Sequence, residues 1–188
     1  MIRVATPADA AAILDIYAPY IRDTSLTFET EVPSEKEFAR RILTYLQEWP
    51  WLVYEAEDGR IAGYAYASRY RERKGYQWSV ECSVYIHNDF FKQGTGRRLY
   101  QKLFALLQAQ GYATVYAVIN LPNDRSVAFH EKTGFTYFAT YEKVGYKLGC
   151  WKDVGWWRLP LSDYPDDPPA PVPFSQLSPE VINNTLKQ

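Results

Sequence analysis

Apolar positions recur along this chain at two spacings, period two and period three to four, and the switches between them predict alternating strands and helices. The chain begins with a short strand. Thr6-Pro7 follows, a threonine able to cap a helix and a proline that fits its first turn, so a helix is predicted over about 7–21. A loop carrying Phe28 and Glu29 leads to a second helix capped by Ser34. Glu37 is set there for a capping box, and Phe38, Ile42, Leu43 and Leu46 share one face. WLVYEAEDGRIAGYAYASRY holds two strand-like runs around Asp58-Gly59, a strong hairpin signal. QWSVECSVYIHN alternates: Trp78, Val80, Cys82, Val84 and Ile86 point to the core, and Ser79, Glu81, Ser83 and Tyr85 point the other way. A carboxylate thus sits at the middle of a strand.

In the second half, Leu99, Leu103, Leu106 and Leu107 keep helical spacing until Gly111 supplies a stop. ATVYAVINL reads as a buried strand, PNDRSVAFHEKTGF as a loop and short helix, and TYFATYEKVGYKLGCWKDVGWWRLPL as two closing strands. These elements make one domain over 1–161. The tail over 162–188 is of another kind, because the prolines of DYPDDPPAPVPF lack the donors that a helix or central strand needs; it either wraps the surface or moves freely.

Bulk properties narrow the chemistry. A chain of 188 residues suits one sizeable core, and its net charge of -1 gives no overall attraction to nucleic acid or to an anionic membrane. Any anion site must be local. No window approaches the roughly 20 apolar residues of a membrane span, and the first residues do not form a signal peptide. Cys82 and Cys150 are the only cysteines, so a reducing cytoplasm is expected; without CxxC pairs or clustered histidines, no metal site is expected.

The chemistry concentrates in FFKQGTGRRLYQKL, where two glycines and several basic side chains open a helix. A strand ending near His87, a glycine turn and a helix from about Gly94 would leave several amide hydrogens unpaired and pointing one way, a setting suited to a pyrophosphate. Gly94 and Gly96 permit close backbone approach, and Lys92, Arg97 and Arg98 add charge. The same features also describe an ordinary turn with solvated basic residues. Neither the GxxxxGK[ST] nor the GxGxxG spacing is present.

Three separated segments, ECSVYIHNDFFKQGTGRRLYQKLFALLQAQGY, AVINLPNDRSVAFHEKTGF and VGYKLGCWKDVGWW, resemble the GNAT superfamily of N-acetyltransferases, in particular its phosphinothricin or methionine sulfoximine branch. The resemblance runs from Met1 to about Leu161. It implies an α/β (α+β) fold with a mixed central sheet flanked by helices, acetyl-CoA as cosubstrate, and transfer of acetyl to the α-amine of a small anionic amino acid by direct attack on the thioester. It also implies a homodimer acting on a small molecule rather than on nucleic acid or membrane. The family's loop pattern [QR]xxGx[GA] falls on Phe91, Lys92, Gln93, Gly94, Thr95 and Gly96, with Phe91 departing from Gln or Arg. Cosubstrate contacts are implied for Lys92, Gln93, Gly94, Thr95, Gly96 and Arg97, for Val84, Tyr85 and Ile86, and for Asn123 and Ser126. Asn123 also fits an ordinary turn or cap.

An ammonium has no lone pair, so a base must accept its proton, and Glu81 aligns with the glutamate this branch uses; the competing reading is a carboxylate paired with a nearby base. His130 stands in FHEKTGF where much of the superfamily has a tyrosine that protonates the leaving thiolate, although a lone helical histidine is often structural. Arg69, Arg71 and Arg73 alternate and would face one side of an extended segment. Their guanidinium forks match carboxylates or phosphinates, with a solvated loop as the rival. Arg71 and Arg73 are the substrate candidates, with Phe28, Glu29, Tyr66 and Tyr85 as pocket walls by analogy and Trp151 or Trp156 nearby. Other readings are a protein N-terminal or polyamine acetyltransferase, or a non-catalytic acyl-CoA or amino-acid-binding module; the arginines speak against polyamines.

Overall fold

The computed structural model describes residues 1–187. Strands β1 (Ile2–Val4), β2 (Trp51–Glu55), β3 (Ile61–Arg69), β4 (Ser79–Ile86), β5 (Thr114–Leu121), β6 (Thr136–Lys147) and β7 (Cys150–Pro160) form one sheet in the order β1-β2-β3-β4-β5-β7-β6. Helices are α1 (Ala10–Asp23), α2 (Glu35–Glu48), α3 (Thr95–Gln110), α4 (Asp124–Lys132) and α5 (Pro179–Lys187). Adjacent strands run antiparallel except β4 and β5, which are parallel and joined through α3, as a parallel pair requires.

Helices on both faces give the sheet two cores. On one face, Leu99, Leu103, Leu106 and Leu107 of α3 pack on Val80, Cys82, Val115 and Trp157. On the other, Ile13, Ile16 and Tyr17 of α1 and Phe38 and Ile42 of α2 pack on Trp51, Val53 and Tyr64. Tyr85 belongs to this second layer, its ring 4.9 Å from that of Tyr17 and 5.3 Å from that of Tyr64. Leu43, assigned to the apolar face of α2, is exposed, because the helix meets the sheet on the arc through Phe38 and Ile42.

Ser34 caps α2 by accepting from the Glu37 amide at 3.2 Å. At α1 the capping runs the other way: the Asp9 carboxylate accepts from the Thr6 amide and from both ends of the Arg3 guanidinium fork. The Pro-rich tail wraps. Phe174 is buried in the α3-side core, the Trp78 indole donates to the Pro169 carbonyl, and Gln110 Nε2 donates to the Val172 carbonyl. The tail then forms α5, which the Pro-rich composition concealed, on the flank of α3, with Lys102 Nζ donating to the Thr185 carbonyl.

Candidate active site

The site begins with a gap in the sheet. β4 and β5 are paired only from Ser79↔Thr114 to Cys82↔Ala117, while β4 continues along β3 to Ile86 and β5 along β7 to Leu121. Past Cys82 the two strands part. A cleft of about 410 Å³ opens between them, walled by 83–86, 118–120, the loop and first turn of α3, and α4.

At its mouth, the loop after β4 turns through Gly94 at φ 78°, a left-handed conformation that glycine adopts without steric cost. The Arg98 amide makes the first helical bond, to the Gly94 carbonyl, so the amides of Thr95, Gly96 and Arg97 have no partner within the helix. A Cβ on Gly96 would stand 3.2 Å from the Phe129 ring, so a larger residue would crowd the cleft wall. Farther in, buried Asn120 donates its Nδ2 to the Ser25 carbonyl, which fixes its amide orientation and leaves Oδ1 without a partner. Unpaired amides at the mouth and an orphaned acceptor inside fit a cosubstrate with a diphosphate head and an amide-bearing arm.

Val84, Tyr85, Ile86, Lys92, Gly94, Thr95, Gly96, Arg97, Asn123, Ser126 and His130 all line this cleft. Gln93 turns away, its Nε2 donating to the Asp89 carbonyl at 3.2 Å. Asn123 is also the cap of α4, its Oδ1 accepting from the Ser126 amide at 3.1 Å, and the His87 ring caps the turn at Asp89. Phe91 of the glycine loop lines the cleft too, and so do Cys82, Tyr100 and Arg125, which the sequence pattern did not point to. The helical spacing of Tyr100 with Leu103 and Leu107 was legible, but not which face of α3 meets the gap.

His130 is 6% exposed and bonded at both nitrogens. A carbonyl can only accept, so the 2.8 Å contact to the Ser126 carbonyl places the proton on Nδ1, leaving Nε2 to accept from the Tyr100 hydroxyl at 3.0 Å. Burial pushes the imidazole's pKa down, so the ring is neutral at pH 7. The Cys82 thiol approaches the Tyr100 oxygen at 3.4 Å, and burial lifts its own pKa to about 12, which keeps it a thiol.

Glu81 lies just before the gap, on the sheet face opposite Cys82, between Ser68 of β3 and Tyr116 of β5. Burial pushes its carboxyl up to about 7, opposed only by the charge of Arg71 acting from a distance. Among the described residues no salt bridge holds it. Beside it is an aromatic surface: Tyr116 stacks on Tyr70 at 4.4 Å, and Trp156 lies edge-on to both. The Arg71 guanidinium stands 5.1 Å from the Tyr70 ring and 5.8 Å from Trp156.

The arginines do not line up as an extended segment would align them, because β3 ends at Arg69 and the chain turns. Arg69 pairs with Glu72 at 2.9 Å and lies over Trp49, Arg71 lies on the Trp156 side, and Arg73 is exposed ahead of the helical turn Lys74–Tyr76. Phe28 rests against Gly145, in a loop fastened by Lys147 Nζ to the Thr27 carbonyl at 2.7 Å. Glu29 is held by Arg41 at 2.8 Å, and Tyr66 is stacked on Trp51 at 4.3 Å. Trp151 is 61% exposed at the β6–β7 tip, remote from this surface, whereas Trp156 is part of it. Among the described residues no group of three or more His, Cys, Asp or Glu could hold a metal, and no helix is long and apolar enough to cross a membrane.

A mixed sheet split between its parallel strands, with bare helix amides at the mouth of the split and an unpaired carboxylate beside it, defines an acyl-CoA-dependent transferase. The family profile described as "Acetyltransferase (GNAT) domain" matches residues 2–156, and the chain belongs to that family. It is an N-acetyltransferase with acetyl-CoA as cosubstrate. It is 42% identical to a phosphinothricin N-acetyltransferase of Streptomyces viridochromogenes over 94% of this chain and 95% of that protein. It is 33% identical to an L-methionine sulfoximine/L-methionine sulfone acetyltransferase of Salmonella typhimurium, over 87% and 95% of the two chains. The crystal structure of a phosphinothricin acetyltransferase from Sinorhizobium meliloti in complex with acetyl-CoA superposes with a TM-score of 0.81 at 33% identity, covering 85% of this chain and 87% of that one.

Proposed function

We propose that this protein acetylates the α-amine of a small anionic amino acid or analogue, of the phosphinothricin or methionine sulfoximine kind, by direct attack of the amine on the thioester. The observation that carries the reading is Glu81, an unpaired carboxylate with a pKa near 7 on the face that also bears Arg71. Glu81 accepts the amine proton, directly or through water. Arg71 receives the substrate's carboxylate or phosphinate, and the Tyr116 and Trp156 rings pack its carbon chain. Arg73 joins this site only if its exposed side chain folds back toward Arg71.

On the other side of the sheet, the α3 amides with Lys92 and Arg97 bind the cosubstrate's diphosphate, and within the gap Asn120 and the free edges of 83–86 and 118–120 receive the pantetheine amides. The Tyr100 hydroxyl donates to the departing sulfur by turning its one proton from His130 Nε2 to the thiolate. His130 is the positioning residue that holds the phenol, since its own Nε2 carries no proton. The exposed Tyr137, Tyr146, Leu148 and Trp151 of the β6–β7 hairpin suit a homodimer contact. Light scattering is expected to give twice the chain mass; a monomer at micromolar concentration would remove that part of the reading.

The test is thiol release from acetyl-CoA with methionine sulfoximine, methionine sulfone, phosphinothricin, the common amino acids, spermidine and a short peptide. Turnover confined to the amino-acid analogues supports the reading. A preference for spermidine or peptide overturns the substrate, and CoA binding without turnover indicates a binding module. With an active analogue in hand, Arg71→Ala is expected to raise the KM for that analogue about 10- to 100-fold and to leave the KM for acetyl-CoA unchanged. An unchanged amino-acid KM would remove Arg71 from the site.

A further inference from the structure

The mouth of the cleft carries a side-chain pair that the proposed chemistry does not use. Phe91 stands where the loop pattern calls for Gln or Arg, so that position offers the cosubstrate no polar group. Arg125, in the first turn of α4, places its guanidinium carbon 3.6 Å from the centroid of the Phe91 ring. At that separation the cation lies against the ring face. Both residues line the cleft with Lys92, Gly94, Gly96 and Arg97.

The charge of Arg125 is uncompensated. Among the described residues no carboxylate lies within ion-pair distance of it, although Asp89 sits on the same loop as Phe91; that carboxylate is bonded to Arg60 at 2.9 Å. The charge also reaches across the mouth to Tyr20, whose hydroxyl donates to the Ile86 carbonyl at 3.1 Å. A long cationic side chain on an exposed helix start ordinarily samples many rotamers. Here an aromatic face restrains it over the opening, with the α3 amides on the other wall.

We infer that Arg125, held on the ring of Phe91, is a phosphate-binding cation of this protein, supplying from α4 the side-chain charge that position 91 lacks. The inference rests on acetyl-CoA entering this cleft head-out, with its diphosphate at the α3 amides. Phosphate oxygens between the two walls would then accept from backbone N–H groups on one side and from the guanidinium fork on the other. Phe91 takes no part in bonding the anion. It acts as a platform that keeps Arg125 extended before the ligand arrives.

The experiment measures CoA affinity by calorimetry, alongside steady-state kinetics, for the full chain and its variants. Arg125→Ala is expected to raise the Kd for CoA and the KM for acetyl-CoA together by about 10- to 100-fold, with a much smaller change in kcat. Because Arg125 is exposed, its melting temperature should match that of the parent. Phe91→Leu, which removes the ring and keeps the bulk, is expected to weaken CoA by a smaller factor. Phe91→Arg combined with Arg125→Ala, which moves the charge back to the loop, is expected to recover affinity. The contrasting ligand is S-acetylpantetheine, which has no phosphate: the KM penalty of Arg125→Ala should disappear with it. A CoA affinity within twofold of the parent overturns the inference, as does an equal penalty with S-acetylpantetheine, which would mark Arg125 as structural. Failure of the parent protein itself to bind CoA would overturn the cosubstrate reading and this inference together.

Discussion

Glu81→Gln is expected to lower kcat/KM by about 10²- to 10⁴-fold, the range that a positioned general base contributes, while CoA binding is retained. The substitution keeps the shape of the side chain and removes its ability to take a proton. It lies on the sheet face opposite Cys82 and outside the wall of the cleft proposed for CoA, so the affinity for CoA is expected not to change. The pH profile carries the finer part of the prediction. With a carboxyl pKa of about 7, the base form is lost as pH falls, so kcat/KM of the parent should drop tenfold per pH unit below about 7. The ammonium that Glu81 deprotonates is lost only at higher pH, where its titration lowers kcat/KM and leaves the limb near 7 a single ionisation. In the Gln variant the limb near 7 should vanish, leaving only the ammonium's. Unchanged turnover, or a limb near 7 that survives the substitution, would exclude Glu81 as the base.

Phe174→Ala is expected to destabilise the fold by about 3–5 kcal/mol, as for a buried phenylalanine in a well-packed core. Phe174 is 5% exposed and reaches the α3-side core from the tail, so its removal leaves a void bounded by elements distant in sequence. The tail is fastened on both sides of it: Val172 exchanges backbone and side-chain bonds with Gln110, and Ser175 Oγ donates to the Gln47 carbonyl at 2.9 Å. At about 2–4 °C per kcal/mol for a chain of this size, the melting temperature should fall by roughly 6–20 °C. A shift below about 2 °C would show that the tail is an appendage. The measurement also separates a structural clasp from a catalytic part: the α5 and Phe174 contacts lie on the α2 and α3 flanks, away from Glu81, so kcat at a temperature where the variant is folded should stay near that of the parent.

Much of the fold was legible because local rules wrote it. Thr6-Pro7, Ser34 with Glu37, Asp58-Gly59 and Gly111 mark element ends by chemistry that acts over a few residues, and the alternation from Trp78 to Ile86 fixes a strand by period alone. The glycine loop was legible for the same reason: Gly94 takes its left-handed turn through its own missing side chain, and the helix amides follow from the start of α3. What failed were statements that needed a neighbour. The alternation of Arg69, Arg71 and Arg73 implied one face, but β3 ends at Arg69 and the turn sends Arg69 toward Glu72 and Arg71 toward Trp156. Period two put Tyr85 and Glu81 on one side of β4, but it says which residues share a side and not that Tyr17 and Tyr64 cover Tyr85 there.

The sequence by itself determined most element types, the glycine loop that opens α3, the position of Glu81 on its strand and the resemblance that named acetyl-CoA. Each depends on backbone geometry or on residues close along the chain. The tertiary structure alone decided where β4 and β5 part, that Glu81 is buried without a partner, that His130 is bound at both nitrogens by Ser126 and Tyr100, that Phe91 meets Arg125, and that the tail closes the core through Phe174. These are properties of pairs brought together across tens of residues. Their chemistry comes from desolvation and from contacts between segments, which exist only once the sheet and its two helical layers have packed.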